Sequence, residues 1–378
     1  MTRMTAFLMA AILLASPALA DEIVPSKKAL LRVETLASGL ENPWGVEALP
    51  DGGYLVTEKP GRLRIVRDGA LSQPIANVPA VAARGQGGLL DVALARDFAQ
   101  SRRLFLSASV SGNGGYGTAI FSARLSDDAR SLEDVKRIFV MNRLTPTTHH
   151  FGSRIAIAAD GSLFFGIGDR GESDRAQDLQ DHAGSILHID ADGKPGAGNA
   201  MAGARPEIWS KGHRNPQGIA IDPETGRLYT VEHGARGGDE INSPETGRNY
   251  GWPIITYGVD YSGADIGEGT AKEGYEQPLY YWDPSIAPGA LAIYSGGMFP
   301  EWKGNLLVAA LKYQLLSRLE RDRDGNIVSE ERLLKGDYGR LRDVSVAPDG
   351  SVLLLTDDRD GRLLRLSAAP ADAAETPF

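Results

Sequence analysis

Three stretches between Lys211 and Trp252 concentrate the side chains most able to do chemistry: GHRNPQG (212–218), EHGARGGDEIN (232–242) and NYGWP (249–253). They are too polar and too rich in Gly and Pro to fill a core, so they are expected to be loops. Loops on a rigid scaffold are where sites are built. Arg214 offers a planar fork of donors suited to a planar anion. Glu232, Asp239 and Glu240 offer hard oxygens, and the Gly-rich backbone adds carbonyls, a donor set that suits calcium. A cation site beside an anion-binding Arg points to a charged cofactor bridged by a metal.

Further candidates lie along the chain. Gln86, between glycines in GQGGLLDV (85–92), is either a ligand donor or an amide that stabilises a turn. THHFGSR (148–154) brings His149 and His150 to the start of an expected strand, where one histidine can act as a general base. Neighbours in an extended chain point to opposite faces, so only one of the two faces a ligand. GDRGESDRAQD (168–178) is acid-rich without the spacing of an EF-hand loop and is taken as a solvated loop. Lys312 is placed in an otherwise apolar strand over 306–316, where a lysine is costly unless paired. Arg340 and Arg342 share a strand face and together suit carboxylates on a rigid ligand, or else a salt-bridged edge. His182, His188, His213 and His233 show no zinc spacing, and no Walker loop, nucleophile elbow or dinucleotide fingerprint is present.

The elements that must position these residues announce themselves by repetition. ALPDGGYLVTEK (48–59), AIAADGSLFFGIGD (156–169), AIDPETGRLYTVEHG (220–234) and VAPDGSVLLLTDD (346–358) each read as strand, tight turn, strand. Asp-Gly and Thr-Gly supply the positive φ that such turns need. Weaker cousins at 97–110 and 299–311 complete a set of six turns, near residues 52, 101, 161, 226, 304 and 350. This period, with several short strands per unit, predicts an all-β, six-bladed β-propeller; the alternative is a two-sheet sandwich. Loops from every blade of a propeller meet at one mouth of its central channel.

The bulk properties narrow the partners. A formal charge of −9 over 378 residues argues against a nucleic-acid binder. There is no cysteine, hence no disulfide or thiol chemistry. Residues 1–20 are expected to be a secretory signal peptide: Arg3, an apolar run over 6–14, then Ala18-Leu19-Ala20. The run is too short for a membrane span, so stable membrane insertion is not expected. A propeller domain over 21–367 and a frayed tail over 368–378 follow, with a periplasmic location.

In their order, Gln86, the histidine pair, GHRNPQG, EHG…GDEIN, NYGWP, the lysine stretch and RLRDV resemble the soluble quinoprotein sugar dehydrogenases. The likeness is greater to the aldose sugar dehydrogenases than to the soluble glucose dehydrogenases, and it runs from about residue 40 to residue 366. It implies oxidation of the C1 hydroxyl of an aldose sugar to a lactone, with hydride transfer to pyrroloquinoline quinone (PQQ). It implies His150 as the general base. Gln86, Arg214, Asn215, Lys312, Arg340 and Arg342, joined by Tyr261, would hold PQQ. The carbonyls of Gly234 and Ala235 would ligate a calcium ion that acts on the quinone as a Lewis acid. Glu240 and Tyr250 would ligate a second, structural calcium. Arg214 would also stabilise negative charge on the quinone oxygen. Two departures stand out. His149 replaces the Asp expected before the base, which leaves the orientation of the base open, and Ala235 replaces a Pro. The chain is also shorter than the glucose enzymes, so glucose selectivity and dimerisation are not carried over; a monomer or weak dimer is expected, with an unidentified electron acceptor. The alternatives are a non-catalytic propeller binding glycans or proteins, and a metal-dependent lactonase, whose ligand ring these motifs do not assemble.

Overall fold

The computed structural model describes residues 21–370. The expected leader (1–20) and the end of the tail (371–378) lie outside the described residues. The chain forms six antiparallel sheets arranged as the blades of a β-propeller. Five are four-stranded meanders in simple chain order. The first blade runs Pro43–Ala48, Tyr54–Glu58, Arg62–Arg67 and Ala70–Leu71. The inner strands of the other five blades are Leu89–Leu94, Ile155–Ile157, Pro216–Ile221, Pro288–Ile293 and Leu341–Val346. Each packs against the next, and Leu341–Val346 packs against Pro43–Ala48 to close the ring.

All six expected turns fall between the first and second strands of a blade. Gly161 and Gly350 turn there at φ +86° and +84°. The apolar side chains fill the spaces between blades. Phe105 and Ile120 of the second blade meet Phe165 and Leu187 of the third in one such layer. A blade is therefore covered on both faces. That explains strands such as LLVAA (Leu306–Ala310) and VLLLT (Val352–Thr356), which are continuously apolar rather than alternating.

The last blade is completed from the other end of the chain. Ala29–Leu40 pairs antiparallel with Gly361–Ala368, in register from Leu31↔Ala368 to Leu40↔Gly361. The hairpin partner Glu22–Ser26 extends this sheet to five strands. Order also persists past the expected end of the domain: Ala368 ends the strand, and the N–H of Ala369 donates to Leu30 O at 2.9 Å.

An antiparallel meander sends its second-to-third connection and its exit to the next blade out of the same end. Gln86, the histidine pair, Arg214 and Arg340 all sit just before an inner strand. Lys59, Asp169, Gly234, Lys312 and Asp357 all follow a second strand. Topology alone brings both sets to one mouth. The fourth blade adds the long connection 243–279, which climbs from the other end of the sheet. The N–H groups of Tyr250 and Trp252 donate to Lys211 O and Gly212 O at 2.8 and 3.0 Å, pinning NYGWP beside the mouth.

Candidate active site at the mouth of the channel

His150 stands in the left-handed region, φ +54°, at the tip of the loop entering Ile155–Ile157. Its Nδ1 lies 2.6 Å from Asp169 Oδ1. Asp169 was not singled out by sequence reasoning: it opens the acid-rich loop that was expected to be merely solvated. It is in fact almost fully buried, and its Oδ2 accepts from Trp252 Nε1 at 2.8 Å while its Oδ1 accepts from the Gly171 N–H at 2.7 Å. Burial pushes the Asp169 carboxyl up, but the bonds from His150 and Gly171 and the charge of Arg214 hold it below the usual carboxylate range. Burial lowers the His150 pKa below its ordinary value, against the upward pull of Asp169 and with further lowering from Arg214 and His149. The ring hydrogen-bonds through Nδ1, which leaves Nε2 to face a substrate.

Neighbouring loops lock this arrangement. A Cβ on Gly168 would stand 2.8 Å from both His150 Cβ and Arg214 O, so only glycine lets the two loops approach. The His150 N–H donates to Gln86 Oε1 at 2.7 Å, and the Gln86 N–H donates to Thr148 O at 3.0 Å. Gln86 thus fixes the loop that carries the imidazole.

Beside this group a cavity of about 210 Å³ opens into the channel. Lys59, Gln86, Asn215, His233, Arg340 and Arg342 line it, with Trp44 and Leu311 as apolar walls. Arg340 and Arg342 both donate to Asp357 Oδ2, at 3.3 and 3.0 Å. Lys59 adds a third cation; burial lowers its pKa, Asp357 opposes, and Arg342 and Arg340 lower it further. Three cations face one carboxylate. Arg342 Nε and Arg214 Nε are buried without a hydrogen-bond partner. A planar ligand with several carboxylates in the cavity would balance the charge of Lys59, Arg340 and Arg342; Arg214 lies outside the cavity lining. Below, Arg154 and Arg342 both approach the Trp44 ring, 4.1 and 6.0 Å from its centroid, and Arg154 is tied to Asp91 and Asp343 at 2.8 and 3.0 Å. This buried network floors the cavity.

Next to Arg214 the backbone curls tightly. Gly237 and Gly238 take φ +86° and +69°, and a Cβ on Gly234 would stand 2.2 and 2.3 Å from their carbonyl oxygens. Arg214 Nη1 donates to the carbonyls of Gly234 and His233. The acids divide differently from the sequence expectation. Glu232 is spent on His213 Nδ1, Asn242 Nδ2 and the Arg214 N–H, and Asp239 on the N–H groups of Gly234 and Ala287. Glu240 alone keeps spare acceptor capacity, and burial and the charge of Glu232 push its pKa up to about 8. Tyr250 cannot offer its hydroxyl, which donates to Ser243 O at 2.6 Å and accepts from the Glu245 N–H; only its carbonyl is left. Among the described residues no three His, Asp or Glu side chains group around an ion, so a cation here would rest mainly on carbonyl oxygens.

Of the residues expected to hold PQQ, Arg214 does not line this cavity but stands beside the glycine curl, and two others stand apart. Lys312 is not in a strand but in the turn between Leu306–Ala310 and Leu315–Arg321; it is exposed, with its amino group 5.4 Å from the Tyr313 ring centroid. Tyr261 is 71% exposed on the 243–279 connection. Both belong to the mouth region without lining the cavity, whereas Lys59, which sequence reasoning passed over, does line it.

The family described as Glucose / Sorbosone dehydrogenase matches residues 40–365. Aldose sugar dehydrogenase YliI of Escherichia coli is 43% identical, across 90% of this chain and 93% of its own length. The apo crystal structure of the soluble aldose sugar dehydrogenase from Escherichia coli superposes with a TM-score of 0.86 at 42% identity, covering 90% of this chain and all of its own. The PQQ-bound form of aldose sugar dehydrogenase from Streptomyces coelicolor gives 0.76 at 28% identity, covering 92% of this chain and 100% of that one.

Proposed function

The chain belongs to the Glucose / Sorbosone dehydrogenase family, and on that premise we propose that it is a PQQ-dependent aldose sugar dehydrogenase that oxidises the C1 hydroxyl of its sugar to the lactone. The observation that carries this reading is the His150–Asp169 pair, with imidazole Nε2 uncommitted, at the edge of a cavity lined by Lys59, Arg340 and Arg342. Asp169 holds the Nδ1–H tautomer, so Nε2 is the basic nitrogen and can take the proton of the C1 hydroxyl. The negative Asp169 then stabilises the imidazolium that forms. Lys59, Arg340, Arg342 and Asn215 would hold the carboxylates of PQQ, and Trp44 and Leu311 would bound its ring. When bound, PQQ would supply the acceptor for the hydride leaving C1, and calcium would supply Lewis acidity at the quinone oxygen. Calcium would be held by the carbonyls of Gly234 and Ala235, and a second ion by Glu240 with the Tyr250 carbonyl. Arg214, already aimed at Gly234 O, is placed to stabilise charge beside that site. We read residues 1–20 as an export leader and the enzyme as periplasmic; among the described residues no helix is long and apolar enough to cross a membrane.

The test is reconstitution. Purified protein with PQQ and calcium should reduce a dye with glucose, xylose or maltose, and His150→Ala should not. Inactivity with every aldose would favour a propeller that only binds glycans or proteins. Chelation should also act on the fold. A ligand at 100 times its Kd stabilises by about 2.7 kcal/mol, so removing calcium should lower the melting midpoint by roughly 5 °C. A melting curve indifferent to chelator and to added calcium would remove the metal from the scheme.

A further inference from the structure

Arg170 follows Asp169 directly and has no part in the reaction as set out above. Its side chain is fully buried, yet among the described residues no carboxylate pairs with it. Its Nη1 donates to His149 O, and its Nη2 donates to Thr147 O at 3.0 Å. Its guanidinium carbon stands over the Phe151 ring, 3.6 Å from the centroid, and its Nε has no partner among the described residues. The backbone of Arg170 is left-handed, at φ +61°. Every one of these features is costly for stability alone: a buried charge that Asp169 and Glu172 offset only without direct contact, an unmet donor, a strained φ on a residue with a Cβ. A fold that needed only packing here would use an apolar side chain.

The hydrogen bonds show what the charge is for. The loop that carries His150 alternates its polar groups. The carbonyls of Thr147 and His149 face Arg170, while the carbonyl of Thr148 and the N–H of His150 face Gln86. One planar fork spans two carbonyls that are two residues apart, one from each Nη, while its face covers Phe151; a lysine ammonium can bond carbonyls, as Lys211 does, but has no planar fork to hold their spacing and cover a ring at once. We propose that Arg170 is a positioning residue for the general base: with Gln86 on the opposite side it clamps residues 147–151, and with Asp169 it holds His150 by backbone and ring at once. This inference rests on the reading of His150 as the base. It also answers what the His149 substitution left open, because the backbone carbonyl of His149, not its side chain, enters the clamp.

The test uses Arg170→Lys, which keeps charge and approximate length, and Arg170→Met, which keeps bulk. Each is compared with wild type by melting, by PQQ titration, by KM and kcat, and by the NMR signals of the His150 imidazole in the protein without PQQ. The expected result is a folded Arg170→Lys that binds PQQ with unchanged affinity, a KM within about two-fold, and a kcat lower by about 100-fold, the scale of loss from displacing a catalytic group by an ångström. The proton shared by His150 Nδ1 and Asp169 should exchange measurably faster with solvent. A kcat within about two-fold of wild type with an unchanged imidazole signal would overturn the proposal. So would failure of both variants to fold, since Arg170 would then be a stability residue. If wild type oxidises no aldose at all, the functional reading falls, while the imidazole spectra still decide whether Arg170 holds His150.

Discussion

At the scale of single residues, the 2.6 Å contact between His150 Nδ1 and Asp169 Oδ1 sets both tautomer and basicity. A base works only when unprotonated, so activity is lost as pH falls through its pKa. Burial, Arg214 and His149 lower that pKa and Asp169 raises it, with a net position below the ordinary 6.5. The acid limb of kcat/KM against pH should therefore lie below pH 6.5, with activity complete above it. Asp169→Asn removes the one group that raises the pKa, so the limb should move lower still. At the same time kcat should fall by roughly 10²–10⁴-fold, because the amide no longer enforces the productive tautomer. An acid limb above 6.5 in wild type would mean that a different group is the base. The family likeness made His150 legible. Asp169 was not, because it sits 19 residues on in a loop whose acids look solvated, and nothing local in the sequence shows that the two loops touch at Gly168.

At the scale of elements, the cation set is assembled from strand ends in different blades, and the sequence was read well where glycine marks the turn. The turns near 161, 226 and 350 were visible because Gly161, Gly226 and Gly350 supply the positive φ. The turn 311–314 was missed because it contains neither Gly nor Pro, and because it is flanked by the apolar strand Leu306–Ala310 and by Leu315 and Leu316. Its left-handed position falls to Gln314, at φ 52°. Lys312 consequently looked like a lysine inside a strand, whereas Lys59 looked like an ordinary strand end. The difference can be measured. Arg342, enclosed and tied to Gln217 and Asp357, should matter more to PQQ than the exposed Lys312. Losing a charge-assisted hydrogen bond costs about 1.5–3 kcal/mol, so Arg342→Met should weaken PQQ binding by roughly 10- to 150-fold. An exposed charge is worth about 1 kcal/mol or less, so Lys312→Ala should weaken it by less than about five-fold. Fluorescence titration of the apo-protein with PQQ would read both, and the reverse order would place the carboxylates at the turn instead of in the cavity.

At the scale of the whole molecule, the site exists only if the ring is closed, because Arg340 and Arg342 come from the last blade and Lys59 from the first. Closure depends on Ala29–Leu40, a strand outside the repeat pattern and mostly before the family match. Val33 shows why this strand is held. It is 3% exposed, pairs with Leu366, and packs with Leu354, Leu364 and Trp302 in the layer between the last two blades. Val33→Asp would put a carboxylate into that layer with nothing to meet it. A cost of about 2–4 kcal/mol is expected, enough to lower the melting midpoint by roughly 3–6 °C. The same change at Val328, 60% exposed on an outer strand, should be nearly silent. Because the last blade carries the arginines, Val33→Asp should also weaken PQQ binding from a position on the outer strand, far along the sheet from the cavity. If the melting point falls while PQQ affinity stays at the wild-type value, the inner strands hold the mouth together by themselves, and the outer strand serves stability only.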